Sequence, residues 1–243
     1  RGGGIYSKNL NLTMMNLIIS DNSAQEGGGV YIEGENNEYS NSTIDNVLIL
    51  NNYAVSGGGI NYEYSNSVMR GVTIKNNSSL YSAGAGIYYS HSNGDIINSI
   101  IINNTGAALG GAVYLNFSNI NFINTTIANN WSASSYGVWM SSSILDITNS
   151  IIWDYIKYET SWGEEYDNLF SSDYSNILGG FEGEGNIYLD PNFNDDYTLQ
   201  PSSPCIDTGD PESELDPDGT RADMGAFYYD QIENPIIYGC MDE

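Results

Sequence analysis

"GGGVY", Gly27–Tyr31, has the glycine density of a phosphate-binding loop, and its reading decides the fold. A phosphate loop occurs once per nucleotide site and opens a helix. Here the cluster recurs: "GGGIY" at Gly2–Tyr6, "GGGIN" at Gly57–Asn61, "GAGIY" at Gly84–Tyr88 and "GGAVY" at Gly110–Tyr114. A faded copy, "YGVWM", runs over Tyr136–Met140. Each copy leads into β-branched and aromatic residues, which favour strands. The signal is a repeat. The glycines therefore read as corners that need positive φ or close backbone approach, not as a ligand loop.

Aligned on the residue after the glycines, the copies place Ile5, Val30, Ile60, Ile87, Val113 and Val138 in one column, at spacings of 25, 30, 27, 26 and 25. A second element follows in every copy: "NLIISDN", "NVLILNN", "GVTIKNN", "NSIIINN", "NTTIANN" and "NSIIWDY". Its fourth residue is always isoleucine: Ile19, Ile49, Ile74, Ile101, Ile127 and Ile152. "STI", Ser42–Ile44, marks a third short element. Units this short cannot bury a core alone, but stacked coils can, each strand pairing with its copy at about 4.8 Å. The expected fold is all-β: a right-handed parallel β-helix, a solenoid of about six rungs over residues 1–155. An irregular acidic segment follows over 156–235, and residues 236–243 read as a linker or the start of a downstream module. The handedness follows the general preference of parallel crossovers.

Asn22, Asn52, Asn77, Asn104 and Asn130 form a column after the second strand. Asparagine tolerates the left-handed conformation of a sharp corner, and its amides can bond along a stack. Lys75 lies one residue past its isoleucine, so period-two alternation turns the lysine out and the isoleucine column in. The outward set then includes Ile18, Leu48, Leu50, Ile100, Ile102, Ile151 and Trp153. So much apolar surface calls for a cover. The tail after residue 155 folding back is the simplest cover, and a partner protein is the alternative.

The 243 residues carry 31 acids and 6 bases, a net charge of −25. This excludes nucleic acid, which is held by lysine and arginine, and disfavours anionic lipid and polyanionic glycans. It suits calcium, a salty exterior or cationic partners. Residues 159–243 hold 21 of the acids and one base, which sets a composition boundary near residue 158. Cys205 and Cys240 make neither a disulfide framework nor a metal spacing, and their pairing stays open. No apolar run approaches the roughly 20 residues that span a bilayer, so membrane insertion is not expected. The chain opens inside a repeat without an initiator methionine, as a mature product or a piece of a longer secreted protein would.

The unit G-G-[GA]-[IV]-Y followed by I-x-N-N resembles the repeats of the polymorphic outer membrane protein family and of bacterial right-handed parallel β-helix proteins, over about residues 1–155. "YLDPNFNDDYTLQPSSPCIDTGDPESELDPDGTRADMGAFYYDQ", Tyr188–Gln231, resembles the end of secreted bacterial β-helix proteins with a choice-of-anchor module. "YGCMDE", Tyr238–Glu243, resembles the start of a downstream repeat in such proteins. The resemblance implies a fold and an extracellular or cell-surface location. It implies little about activity, because the scaffold hosts lyases, hydrolases and adhesins.

Two groups of residues are candidate sites. Asp207, Asp210, Asp216, Asp218 and Asp223 crowd one loop. Their oxygens suit calcium, which takes six to eight, or they cap backbone amides in an Asp/Pro/Gly turn, with Arg221 pairing one of them. Tyr6, Tyr31, Tyr88, Tyr114 and Trp139, interrupted by Asn61, form an aromatic column. Its rings either dock sugars or pack on each other as a ladder. Asparagine-rich sequons at Asn11, Asn41, Asn116 and Asn130 read as chance products of composition.

Catalysis finds little support. The Asn-Thr-Asp, His-Gly and Arg-x-Lys signatures of β-helical glycoside hydrolases are absent. Asp195–Asp196 lies in the tail, Glu164–Glu165 in a loop-like stretch, and His91 in the turn-like "YSHSNG". No catalytic or cofactor-binding residue is assigned. The expected function is a secreted structural or adhesive module, with polysaccharide or other surface proteins as partners. One alternative is a polysaccharide lyase or glycoside hydrolase with its groove on the tyrosine column, for which acid and base side chains should converge around Arg70, Lys75 and Glu63. Another is a filament subunit that associates end to end. The longest insertion, "EGENNEYS" at Glu33–Ser40, is the best place for a private function.

Overall fold

The computed structural model describes residues 1–35, 38–81, 83–158 and 168–234, and every regular element among them is a strand. The strands build a parallel β-solenoid of about six turns from four all-parallel sheets. Sheet 1 runs from Ile5–Lys8 through Val30–Glu33, Ile60–Glu63, Ile87–Ser90, Val113–Asn116 and Val138–Ser141 to Ile156–Lys157. Sheet 2 runs from Leu12–Met15 through Ser40–Asp45, Ser65–Arg70, Asn93–Ile97, Asn119–Ile123 and Ile144–Thr148 to Leu169–Asp173. Sheet 3 holds the isoleucine column, from Ile18–Ser20 to Asn176–Ile177. Sheet 4 is narrow: Tyr53–Ala54, Ser78–Ser79, Thr105–Gly106 and Trp131–Ser132. The register is the one the repeats dictate, with Ile5 on Val30, Val30 on Ile60, and Ile19 on Ile49. Strands continue to Ile177, as a short seventh set that follows residue 155.

One rule governs three of the four corners. A residue with positive φ turns the chain, and the next residue caps an amide of the adjacent turn. At the first corner Tyr64, His91, Phe117 and Ser142 have φ of 48°. The serines after them stack, with Ser65 N, Ser92 N and Ser118 N donating to Ser92, Ser118 and Ser143 Oγ. At the second, Asn98, Asn124 and Asn149 turn the chain, and Thr125 N donates to Ser150 Oγ. At the third, the left-handed residues are Asp21, Asn51, Asn76, Asn103 and Asn129, one position before the expected column. The column residues instead point inward.

There they form a buried amide ladder. Asn52 N donates to Asn77 Oδ1 at 2.9 Å and Asn52 Nδ2 to the same oxygen at 3.0 Å; Asn77 and Asn104 repeat the pattern onto Asn104 and Asn130. The second Nδ2 hydrogen returns to a strand carbonyl, Ile49 O in the case of Asn77. The bonds onto the neighbouring amide oxygen all run towards later turns. The ladder ends on Asp154, which accepts from Asn130 N and, at 2.8 Å, from Asn130 Nδ2. The fourth corner is the glycine cluster. Gly27 has φ of 61°, and a Cβ on Gly28 would lie 2.4 Å from Gly58 O of the next turn. In the faded copy Ser135, at φ of 64°, replaces the turning glycine.

Inside, Ile49, Ile74, Ile101, Ile127 and Ile152 are buried in one stack, facing Val30, Ile60, Ile87 and Val113 and, from sheet 2, Ile44, Met69, Ile96 and Phe122. Tyr62 and Tyr89 stack within this core at 4.9 Å. Outside, sheet 3 is covered as the apolar pattern requires. Leu199, Cys205, Ile206 and Met224 of the tail bury Ile151, and Phe193, Tyr197 and Ala226 pack on Ile100, Ile102 and Ala128. Trp153 belongs to both clusters. The cover stops short of the first turns, where Ile18 is 72% exposed.

Two outcomes follow from the ladder. Asn77→Ala strands Asn52 N, Asn52 Nδ2 and Ile49 O, and should cost about 3 kcal/mol or more in denaturant unfolding. Burial raises the Asp154 carboxyl to about 6 from its ordinary 3.8. Its share of stability is thus complete below pH 3.8 and is lost as pH rises through about 6. Asp154→Asn should remove that fall, so the difference between wild type and variant should change by about 1–3 kcal/mol between pH 4 and pH 8.

Candidate functional site

Four of the five tail aspartates are engaged with the backbone, and Asp207, whose Oδ1 is buried without a partner, meets a side chain. Asp223 accepts from Asp207 N and Tyr229 N, both at 2.7 Å. Asp216 accepts from Asp223 N at 2.9 Å. Asp218 takes Thr220 N, Thr220 Oγ1 and Gln231 N. Asp210 takes Glu212 N, and Asp207 takes Gln231 Nε2. Arg221 does not pair with them; its Nε donates to Gly209 O at 2.6 Å and its guanidinium lies over Tyr174. Burial pushes Asp223 up to about 7 and Asp216 upward. Backbone donation from Gln231 holds Asp218 below its ordinary range. These bonds cap turns within the tail itself. Among the described residues no group of three or more acids, histidines or cysteines is gathered to hold a metal.

The aromatic column lies on the outer face of sheet 1. Tyr31 is 1% exposed, lies under the Arg1 guanidinium, and donates its hydroxyl to Glu63. Tyr6 donates to Glu33, which also pairs with Arg1 and Lys8. Tyr88 and Tyr114 stack at 5.2 Å and 14°. Trp139 meets Tyr136 edge-on. Tyr88 and Tyr114 thus cover each other's faces, while Tyr6 is tilted at 45° on Tyr31 and half exposed. The insertion after Glu33 forms a small antiparallel bridge between Glu35 and Glu38.

Arg70, Lys75 and Glu63 stand on sheets 2, 3 and 1 and do not converge. Arg70 instead lies 4.0 Å from Asp45. Asp195 and Asp196 line a shallow tail pocket with Thr198, whose N–H and Oγ1 bond Asp196. Glu164–Glu165 and Cys240 lie outside the described residues. Cys205 is a buried thiol pushed up to about 11 by burial, with Asn176 Nδ2 at 3.2 Å.

Sheet 2 presents the most organised open surface. Its outward residues form columns in strand register. Asn41 Nδ2 donates to Asn11 Oδ1, Asn66 to Asn41 and Asn93 to Asn66, at 3.1–3.2 Å, and Asn119 continues the column. Beside it run Thr43, Val68, Asp95, Asn121 and Asp146. Asn121 Nδ2 donates to Asp95 Oδ1 at 2.7 Å. Along the adjoining corner stand Tyr64, His91 and Phe117, stacked at 4.9 and 5.1 Å. His91 is thus a corner ring held between two aromatics, not a loose turn residue. Where this wall meets the asparagine column, a cleft of about 370 Å³ is lined by Asn93, Asn119, Phe117, Ser118, Ile144 and Leu169, among others. Asn41, Asn66, Asn93 and Asn119 recur at spacings of 25, 27 and 26, the period of the other columns, and this was the signal by which the sequence marked the surface.

No protein-family model, curated protein or solved structure matches the chain. The surfaces themselves therefore carry what can be said about function.

Because four of the five tail carboxylates already serve backbone amides, thermal unfolding should be the same in millimolar calcium and millimolar magnesium. A calcium-specific rise in melting temperature would show instead that the aspartates regroup around an ion.

Proposed function

We propose that this chain is a non-catalytic, extracellular or surface-displayed module that holds a polysaccharide along the outer face of sheet 2. The observation that carries this reading is the exposed asparagine ladder beside the aromatic wall. Asn41 and Asn66 each use one N–H and one carbonyl lone pair on their neighbours, which leaves a second donor and acceptor on each for a ligand. A row of such pairs, repeated every 4.8 Å or so, matches a hydroxyl-rich polymer laid along the axis. The Tyr64–His91–Phe117 stack gives the row an apolar side. The repeats' resemblance to polymorphic outer membrane proteins, and the tail's to secreted proteins with an anchor module, supports surface display. The separation of Arg70, Lys75 and Glu63 onto three sheets supports the non-catalytic reading over a lyase or hydrolase.

Affinity electrophoresis and calorimetry against a panel of soluble polysaccharides test the reading. Asn66→Ala with Asn93→Ala should weaken binding about tenfold, at about one hydrogen bond's net worth per site. The melting temperature should hold, since both side chains face outward. Tyr88→Ala on sheet 1 should leave affinity unchanged. Equal affinity of the sheet 2 variant and wild type would sink the proposal.

A further inference from the structure

The charge on sheet 2 narrows the ligand. Asp95 and Asp146 occupy the same outward column, with Asn121 in register between them. Two strand steps separate them, about 10 Å. Each carboxylate has a neutral neighbour: Asp95 accepts from Asn121 Nδ2, and Asp146 from Ser171 Oγ. A carboxylate accepts several hydrogen bonds, so one neutral donor leaves both its charge and further lone pairs unmatched. Arg70 is the only basic residue in the strands of this sheet, and it lies beside Asp45. The asparagine column and the cleft at Asn93 and Asn119 run alongside.

We infer that the polymer held on sheet 2 carries free amines: a de-N-acetylated hexosamine chain whose ammonium groups lie on Asp95 and Asp146 while its hydroxyls meet the asparagine ladder. This rests on the reading of sheet 2 as a polysaccharide surface. Charge complementarity selects the ligand class. A polyuronate would place carboxylates against Asp95 and Asp146, and like charges at this distance repel. A neutral glycan would satisfy the amides and leave the two carboxylates without a counter-charge. An ammonium on each carboxylate adds a charge-assisted hydrogen bond.

The probes are soluble polyglucosamine, its N-acetylated counterpart, a neutral glucan and polygalacturonate, measured by calorimetry at low and high salt. Polyglucosamine should bind about tenfold tighter than the N-acetylated and neutral polymers at low salt, and polygalacturonate should not bind. The preference should shrink as salt rises. Asp95→Asn with Asp146→Asn, isosteric and outward-facing, should abolish the preference while neutral-polymer affinity and melting temperature hold. Equal binding of aminated and neutral polymers would overturn the inference and leave the polysaccharide surface standing. So would a preference that survives in the double variant, because it would assign amine attraction to the acidic tail. If no polysaccharide binds at all, both readings fall.

Discussion

A buried amide on each turn, bonded to the amide of the next, is the constraint on which the rest of the molecule depends. Asn22, Asn52, Asn77, Asn104 and Asn130 close a corner by joining side chain to backbone across turns. An unpaired amide in that interior would cost several hydrogen bonds' worth of stability. The column therefore tolerates no slippage, since a shift of one residue would strand every donor at once. Serine and threonine do similar work at two other corners with shorter side chains. Fixed register at the corners forces the strands between them to stack like on like, and the outward columns inherit that order.

The sheets use the imposed order differently. On sheet 1 it stacks Tyr88 on Tyr114. On sheet 3 it lines up apolar side chains, which the tail covers over the later turns. The tail joins this surface through Leu199, Met224, Phe193 and Tyr197, while its aspartates fold it locally by capping their own backbone. On sheet 2 the same order makes rows of polar groups open to solvent.

The sequence showed the architecture through residues whose chemistry is local. Glycine at positive φ, isoleucine every turn and asparagine at a corner each announce a backbone requirement, and the glycine and isoleucine columns fell where the alignment placed them. The asparagine column bonds along its stack as its chemistry implies, but the left-handed turn falls one residue earlier, because "NN" offers two asparagines and only geometry separates the one that turns from the one that bonds. Tyr31 was offered as a sugar platform because alternation tells which side a residue faces but not what lies above it. Sheet 2 was hardest to see. Its strands, such as "SNSTID" and "SNSVMR", place serine inward at several positions, so the hydrophobic alternation that reveals strands is weak there. His91 was hidden for a related reason: its ring partners, Tyr64 and Phe117, lie 27 and 26 residues away.

The last residue of the amide column has a meaning of its own. An asparagine accepts from the turn before and has an N–H to offer the turn after; an aspartate only accepts. The N–H groups of Asn130 end on the two carboxylate oxygens of Asp154. Asparagine thus says continue and aspartate says stop, and the length of the ladder is spelled in side-chain chemistry. An aspartate in place of Asn77 or Asn104 would write that stop into the middle of the word, leaving its turn without a side-chain amide hydrogen bond to the next.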